Sequence, residues 1–124
     1  MNSRGCEPVF VISVAARLLE MHPQTLRKYE REGLIAPSRT TGNLRLYSGE
    51  DLERLRQVKY LVGERGLNLA GVQLAMELTL RLKALQGWLA EQDAAIGGEA
   101  VQGMRGEVAA LLAHLGVEDN SSER

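Results

Sequence analysis

Apolar positions along this chain change their spacing several times, and each change marks an element. Val9–Ile12 is a short apolar, β-branched run that leads into the core. Ser13 then offers an N-cap, and Val14, Ala15, Leu18 and Leu19 recur at helical spacing, predicting a short helix that ends near Met21. His22-Pro23 interrupts it, and Pro23 suits the first position of a new helix, where its missing N–H has no intrahelical acceptor anyway. That second helix runs to Glu32 and stops at Gly33, with Leu26 and Tyr29 on its inner face and Thr25, Arg27 and Lys28 pointing elsewhere.

Two short helices across a tight turn predict a helix-turn-helix, and the small residues Ala15 and Ala16 let the helices cross closely. Leu34-Ile35 and Leu44–Tyr47 read as two extended runs around a Pro/Ser/Thr/Gly-rich tip from Pro37 to Asn43, which is a β-hairpin, or wing. Ser48 caps a third helix with Asp51 three residues on, its inner face carried by Leu52, Leu55, Val58 and Leu61 as far as a stop at Gly66. Asn68 caps a fourth helix starting at Leu69. From there Gly71, Ala75, Leu78, Leu82, Leu85, Leu89, Gln92 and Ile96 alternate spacings of four and three, a heptad seam that needs a partner helix. Gly97-Gly98 breaks it, and Val101, Met104, Val108, Leu111 and Leu115 resume the rhythm on a shorter segment.

The resulting organisation is a mobile arm over residues 1–8, a winged helix-turn-helix over 9–78, a dimerisation helix over 79–96, a helical segment over 97–117 and a disordered tail over 118–124. The expected fold is mainly α. Leu78, Leu82, Leu85, Leu89 and Ile96 are the expected dimer seam, which favours a homodimer over a helix packed on its own head.

Composition narrows the function. A 124-residue chain, 44% hydrophobic, is one small domain with at most an appendage. Its single cysteine, Cys6, closes no internal disulfide. No apolar run reaches membrane-spanning length, and Met1–Pro8 lacks an apolar signal core, so the expected location is the cytoplasm. Aromatic residues, at 4%, are too few for a single-strand stacking platform. Net charge is −1 overall, yet residues 1–66 hold 11 Lys/Arg against 8 Asp/Glu while residues 67–124 hold 4 against 8. Between 22 and 47 the balance is 5 to 2, a local positive field suited to a phosphate backbone.

A major groove admits one helix, which reads base edges from near its N-terminus. Those positions here carry Gln24, Thr25 and Lys28: Gln for adenine, the Thr methyl for thymine, Lys for guanine or phosphate. Arg27 and Tyr29 suit phosphate contacts that set register, and Arg39 and Arg45 flank the wing tip. His22 either caps the second helix or touches a phosphate. A plainer reading pairs Arg27, Lys28 and Arg31 with Glu30 and Glu32 on a solvated face and makes Tyr29 and Tyr47 core-edge aromatics. Cys6, His22 and His114 have no metal-ligand spacing, and nothing resembles a phosphate-cradling loop or a nucleophile–base pair. Neither a metal, a cofactor nor an enzymatic activity is expected.

Several of these segments together resemble the MerR family of transcription regulators. They are Ile12-Ser13-Val14-Ala15-Ala16, the run from Thr25 to Ile35, Arg45-Leu46-Tyr47-Ser48 and Asp51-Leu52. Met21–Arg27, Pro37–Thr40 and Asn68–Val72 look more narrowly like its HspR-type heat-shock repressors. The resemblance implies dimers joined by an antiparallel pair of long helices, each subunit placing a helix in a major groove and a wing beside it. It implies DNA contacts from Gln24, Thr25, Arg27, Lys28 and Tyr29 on the helix and from Arg39, Arg45 and Tyr47 on the wing. It further implies repression of chaperone operons at inverted repeats of double-stranded DNA, with a DnaK-type chaperone as co-repressor. The alternatives are a promoter-distorting activator of the same family and a helical adaptor that docks a chaperone. The chain departs from the family in having Lys28 where many members carry an aromatic residue, and in having no cysteine after Cys6 for metal sensing. Its wing tip Thr41-Gly42-Asn43-Leu44 also lacks the glycine run or extra basic residue of that branch.

Overall fold

The computed structural model describes residues 6–118, and the chain divides into two compact units, one through Tyr60 and one from Leu61. The first holds β1 (Pro8–Val11), α1 (Ile12–Leu19), α2 (Pro23–Arg31), β2 (Ser38–Arg39), β3 (Arg45–Ser48) and most of α3 (Gly49–Gly63). The second holds the end of α3, α4 (Leu69–Ala95) and α5 (Glu99–His114). The fold is mainly helical with a small sheet, as the periodicity predicts.

The sheet is larger than a hairpin. Its order is β1-β3-β2, both pairings antiparallel, so β3 is central. Phe10 lies opposite Tyr47 and Val11 opposite Leu46, which takes the apolar run after Glu7 into the ladder. A two-stranded ribbon is marginal in water, and the third strand covers one of its edges. Pro8, placed by the sequence in the arm, pairs with Ser48 instead, while residues 1–5 lie outside the described residues. Cys6 precedes the strand with its thiol 3.3 Å from a Glu50 carboxylate oxygen. The other predicted strand also moves. Leu34 and Ile35 are buried side chains outside the ladder, and pairing starts at Ser38, just past Pro37, which has no N–H to donate.

Local codes set the helix ends. β1 passes into α1 with no residue between, so Val11, not Ser13, is the N-cap, without a side-chain bond. α1 ends at Leu19, two residues before Met21, because Glu20 turns left-handed at φ +55°. That conformation costs a non-glycine residue about 1 kcal/mol. The Lys59 ammonium answers it by donating to the Leu19 carbonyl at 2.9 Å and the Glu20 carbonyl at 3.3 Å. α2 closes in a Schellman turn: Gly33 N–H donates to Glu30 O and Leu34 N–H to Tyr29 O, both at 3.0 Å. Gly33 sits at φ +81°, which glycine reaches without strain, and Leu34 buries behind it.

Ser48 and Asp51 form a reciprocal capping box, Asp51 N–H to Ser48 Oγ at 3.0 Å and Ser48 N–H to Asp51 Oδ2 at 2.9 Å. α3 stops at Gly63 rather than Gly66, because the Leu67 N–H reaches back to Leu61 O at 2.9 Å across a left-handed Gly66. The first unit's core is built from Ala15, Leu19, Leu26, Ile35, Tyr47 and Leu55 among others.

In the second unit Asn68 Oδ1 accepts from Gly71 N at 2.9 Å and opens α4, which continues unbroken through the expected boundary at 78/79. Gly97 and Gly98, both at positive φ, turn the chain back into α5. Leu89 packs with Val108 and Leu112, with Leu82 and Val117 against them, so α4 and α5 form an antiparallel hairpin. Asp93 accepts from Gln102 at 2.5 Å and Arg105 at 2.6 Å and ties its closed end. Leu82 and Leu89, expected at a dimer seam, therefore face this chain's own α5. Leu78, Leu85 and Ile96, the rest of that set, are 46%, 41% and 79% exposed. Residues 119–124 of the expected tail lie outside the described residues.

Candidate nucleic-acid interface

His22 ends the turn between the first two helices in extended backbone, and its Nδ1 accepts from the Gln24 N–H at 3.0 Å. This N-cap, followed by Pro23 at N1, fixes where α2 begins and which side chains crown its first turn. Gln24 and Lys28 are exposed, and Thr25 and Arg27 half-buried, so these four line the outer edge of α2. Arg27 Nη1 donates to Gln24 Oε1 at 3.2 Å, which orients the Gln24 amide. The oxygen keeps a second lone pair and the amide nitrogen both its hydrogens, the pattern needed for the N6/N7 edge of adenine.

The tyrosines lie on the other side of this edge. Tyr29 is 8% exposed and Tyr47 fully buried, so both rings pack into the core rather than standing on this edge. Tyr29 sits three residues after Leu26 and shares its inward stripe, and Tyr47 is held inward by its place in the central strand. Burial pushes both phenols above their usual pKa, with Glu32 adding to the effect at Tyr29. Tyr47 Oη has no hydrogen-bond partner among the described residues. Replacing an unpaired buried hydroxyl is close to neutral. Tyr47→Phe should leave thermal stability unchanged or raise it by up to about 1 kcal/mol, and a clear loss in a melting experiment would mean that the hydroxyl is bonded.

On the wing, Arg39 and Arg45 are directly opposed across β2 and β3. Glu30, from α2, lies between them: Oε1 accepts from Arg45 Nε at 2.6 Å and Oε2 from Arg39 Nη2 at 2.9 Å. Partial burial works against ionisation of Glu30, but the hydrogen bonds and charges of Arg45 and Arg39 outweigh it and hold the carboxyl below its usual range. Arg39 Nη1 also donates to the Asn43 carbonyl at 3.2 Å. At the tip Thr40 Oγ1 accepts from Leu44 N, and Asn43 takes a left-handed φ of +68°. The plainer of the two sequence readings puts Glu30 on a solvated face with its helical neighbours. Its partners are instead 9 and 15 residues away, a separation that helix periodicity does not reveal.

Among the described residues no group of three His, Cys, Asp or Glu side chains could hold a metal ion. Nor is any helix there long and apolar enough to cross a membrane. His114, the last residue of α5, is exposed and far along the chain from this edge.

Two helices crossing at a tight turn, followed by a strand pair pinned to the second helix, define a winged helix-turn-helix. The sequence matches the MerR HTH family of regulatory proteins over residues 10–79, more than half of its length, and the chain belongs to that family, among helix-turn-helix transcription regulators. It is 50% identical to a Streptomyces coelicolor protein named heat shock protein HspR over 106 residues, 86% of this chain and 70% of that one. It is 37% identical to the HTH-type transcriptional regulator GlnR of Bacillus anthracis over 72 residues, 58% of this chain and 55% of GlnR. It is also 37% identical to the HTH-type transcriptional regulator YfmP of Bacillus subtilis over 84 residues, 66% of this chain and 60% of YfmP.

Proposed function

We propose that this protein is a dimeric, sequence-specific repressor of heat-shock and chaperone genes that binds an inverted repeat in double-stranded DNA in the cytoplasm. The observation that carries the reading is the outer edge of α2, where Gln24, Thr25, Arg27 and Lys28 stand together while the tyrosines turn inward. Gln24 reads a base, Thr25 packs on a thymine methyl, and Arg27 and Lys28 engage phosphates. The name of the HspR relative supports the heat-shock assignment, and a DnaK-type chaperone as co-repressor is part of the proposal, as the family resemblance implies it. Leu74, Leu78, Leu85 and Trp88 form the exposed apolar stripe of α4 that a second subunit would cover. A two-fold dimer presents two such helices and reads a repeat with mirrored half-sites.

Selection of bound duplexes from a random pool, with purified protein at moderate salt, tests this directly. Enrichment of an inverted repeat upstream of chaperone genes is the expected result. If a repeat emerges only when the chaperone is added, the co-repressor is obligate, and if none emerges in either case the reading fails. On the selected repeat, Gln24→Ala should relax preference at one base pair by about 1–3 kcal/mol while leaving the others intact. An unchanged preference profile would remove Gln24 from base readout.

A further inference from the structure

Arg39 and Arg45 face each other as a cross-strand pair, an arrangement in which like charges repel and drive strands apart. One carboxylate, Glu30, gives one oxygen to each. It comes from α2, whose opposite end carries Gln24, so the same helix that presents the candidate base-reading side chain also neutralises the wing. Neither arginine is spent by this contact. Each guanidinium has five N–H donors, and Arg45 uses only Nε toward Glu30, leaving its terminal nitrogens for another acceptor. Both side chains stay partly exposed, at 35% for Arg39 and 26% for Arg45.

We propose that Glu30 is a positioning residue that sets specificity: it holds Arg39 and Arg45 in one geometry relative to α2, so that the wing meets the DNA backbone only when the helix is in register. The inference rests on the DNA-binding reading above. A free arginine finds phosphate on any duplex, because backbone charge carries no sequence. An arginine fixed relative to a base-reading helix finds its phosphate only at one docking. Glu30 also contributes a negative charge close to the DNA, and so lowers affinity for every sequence. Its two effects have opposite signs on non-specific binding and on discrimination.

The test compares wild type, Glu30→Gln and Glu30→Asp on the selected repeat and on a scrambled duplex, by fluorescence anisotropy across a salt series, with circular dichroism melts to verify folding. Glu30→Gln should bind the scrambled duplex a few-fold more tightly and lose about tenfold in the ratio between the two duplexes. Glu30→Asp keeps the charge but is one methylene too short to span both arginines. It should bind the scrambled duplex as wild type does and still lose discrimination. In an Arg39→Gln, Arg45→Gln background the further change Glu30→Gln should leave the ratio where it was, since the carboxylate then has nothing to position. An unchanged ratio in a folded Glu30→Gln or Glu30→Asp variant overturns the proposal, as does an equal loss in the arginine-free background. A wild type that prefers no duplex, with or without chaperone, overturns the underlying DNA-binding reading itself, a result visible before any variant is made.

Discussion

Leu26→Ala should cost the fold about 3 kcal/mol, lower the melting temperature by roughly 10 °C and abolish preferential duplex binding. Leu26 is fully buried on the inward stripe of α2, in the core that also takes Ala15 and Leu19 from α1. The small alanines allow the helices to approach closely, and truncating the one large side chain on α2's buried stripe that lacks a polar tip leaves a cavity that rigid neighbours cannot fill. The binding loss follows from the fold loss: Gln24, Arg27 and Lys28 lie on the same nine-residue helix, and its tilt is set from below. Thermal melts and anisotropy titrations check both parts. A variant that melts normally yet fails to bind would mean that Leu26 itself touches the partner.

Leu89→Ala should be equally severe, at about 3 kcal/mol, whereas Leu85→Ala should cost the folded chain under about 1 kcal/mol. The two leucines are four residues apart on α4, yet Leu89 is 2% exposed against Val108 and Leu112, and Leu85 is 41% exposed. If the exposed stripe is the dimer surface, Leu85→Ala should instead raise the dimer dissociation constant by about tenfold. Melts at low protein concentration read the first effect and sedimentation equilibrium reads the second. Equal destabilisation by both variants at low concentration would show that Leu85 belongs to the intrachain core.

That contrast marks where sequence information ran out. Heptad spacing recognises α4 but does not separate its faces, because two registers overlap: the expected seam and the set of buried Val72, Ala75, Thr79 and Leu89 with half-buried Leu82 share Ala75, Leu82 and Leu89. Periodicity specifies a face to within about one helical position, and which helix covers it is a tertiary question. Signals carried by a few adjacent residues were legible. His22-Pro23, Gly33, Ser48 with Asp51, and Asn68 each mark the boundary they were assigned, because a cap is completed within four residues. β1 was hidden for the opposite reason. Its four residues are too few to show alternation, and its partner strand lies more than 30 residues away.

Tyr29 carries two readings within one sequence: its spacing from Leu26 puts it inside, and its place on the second helix, together with the family resemblance, puts it against DNA. In the structure its side chain is buried, since a residue three positions from a core leucine shares its face. Glu30 shows a different gap. Its role depends on two arginines brought together by a strand pair, and only the assembled wing shows that one carboxylate serves both.

The junction between β3 and α3 has a mechanical meaning. Ser48 is at once the last residue of the central strand and the cap of the helix, with no loop between them. Strand and helix are thus joined like a crank to its shaft, without slack. When the wing is pushed, the joint has no loop to absorb the movement, and the compliance has to come from the Thr40–Asn43 tip, since Leu34 and Ile35 anchor the other approach in the core. A load on the wing therefore arrives at the first turn of α3 as torque.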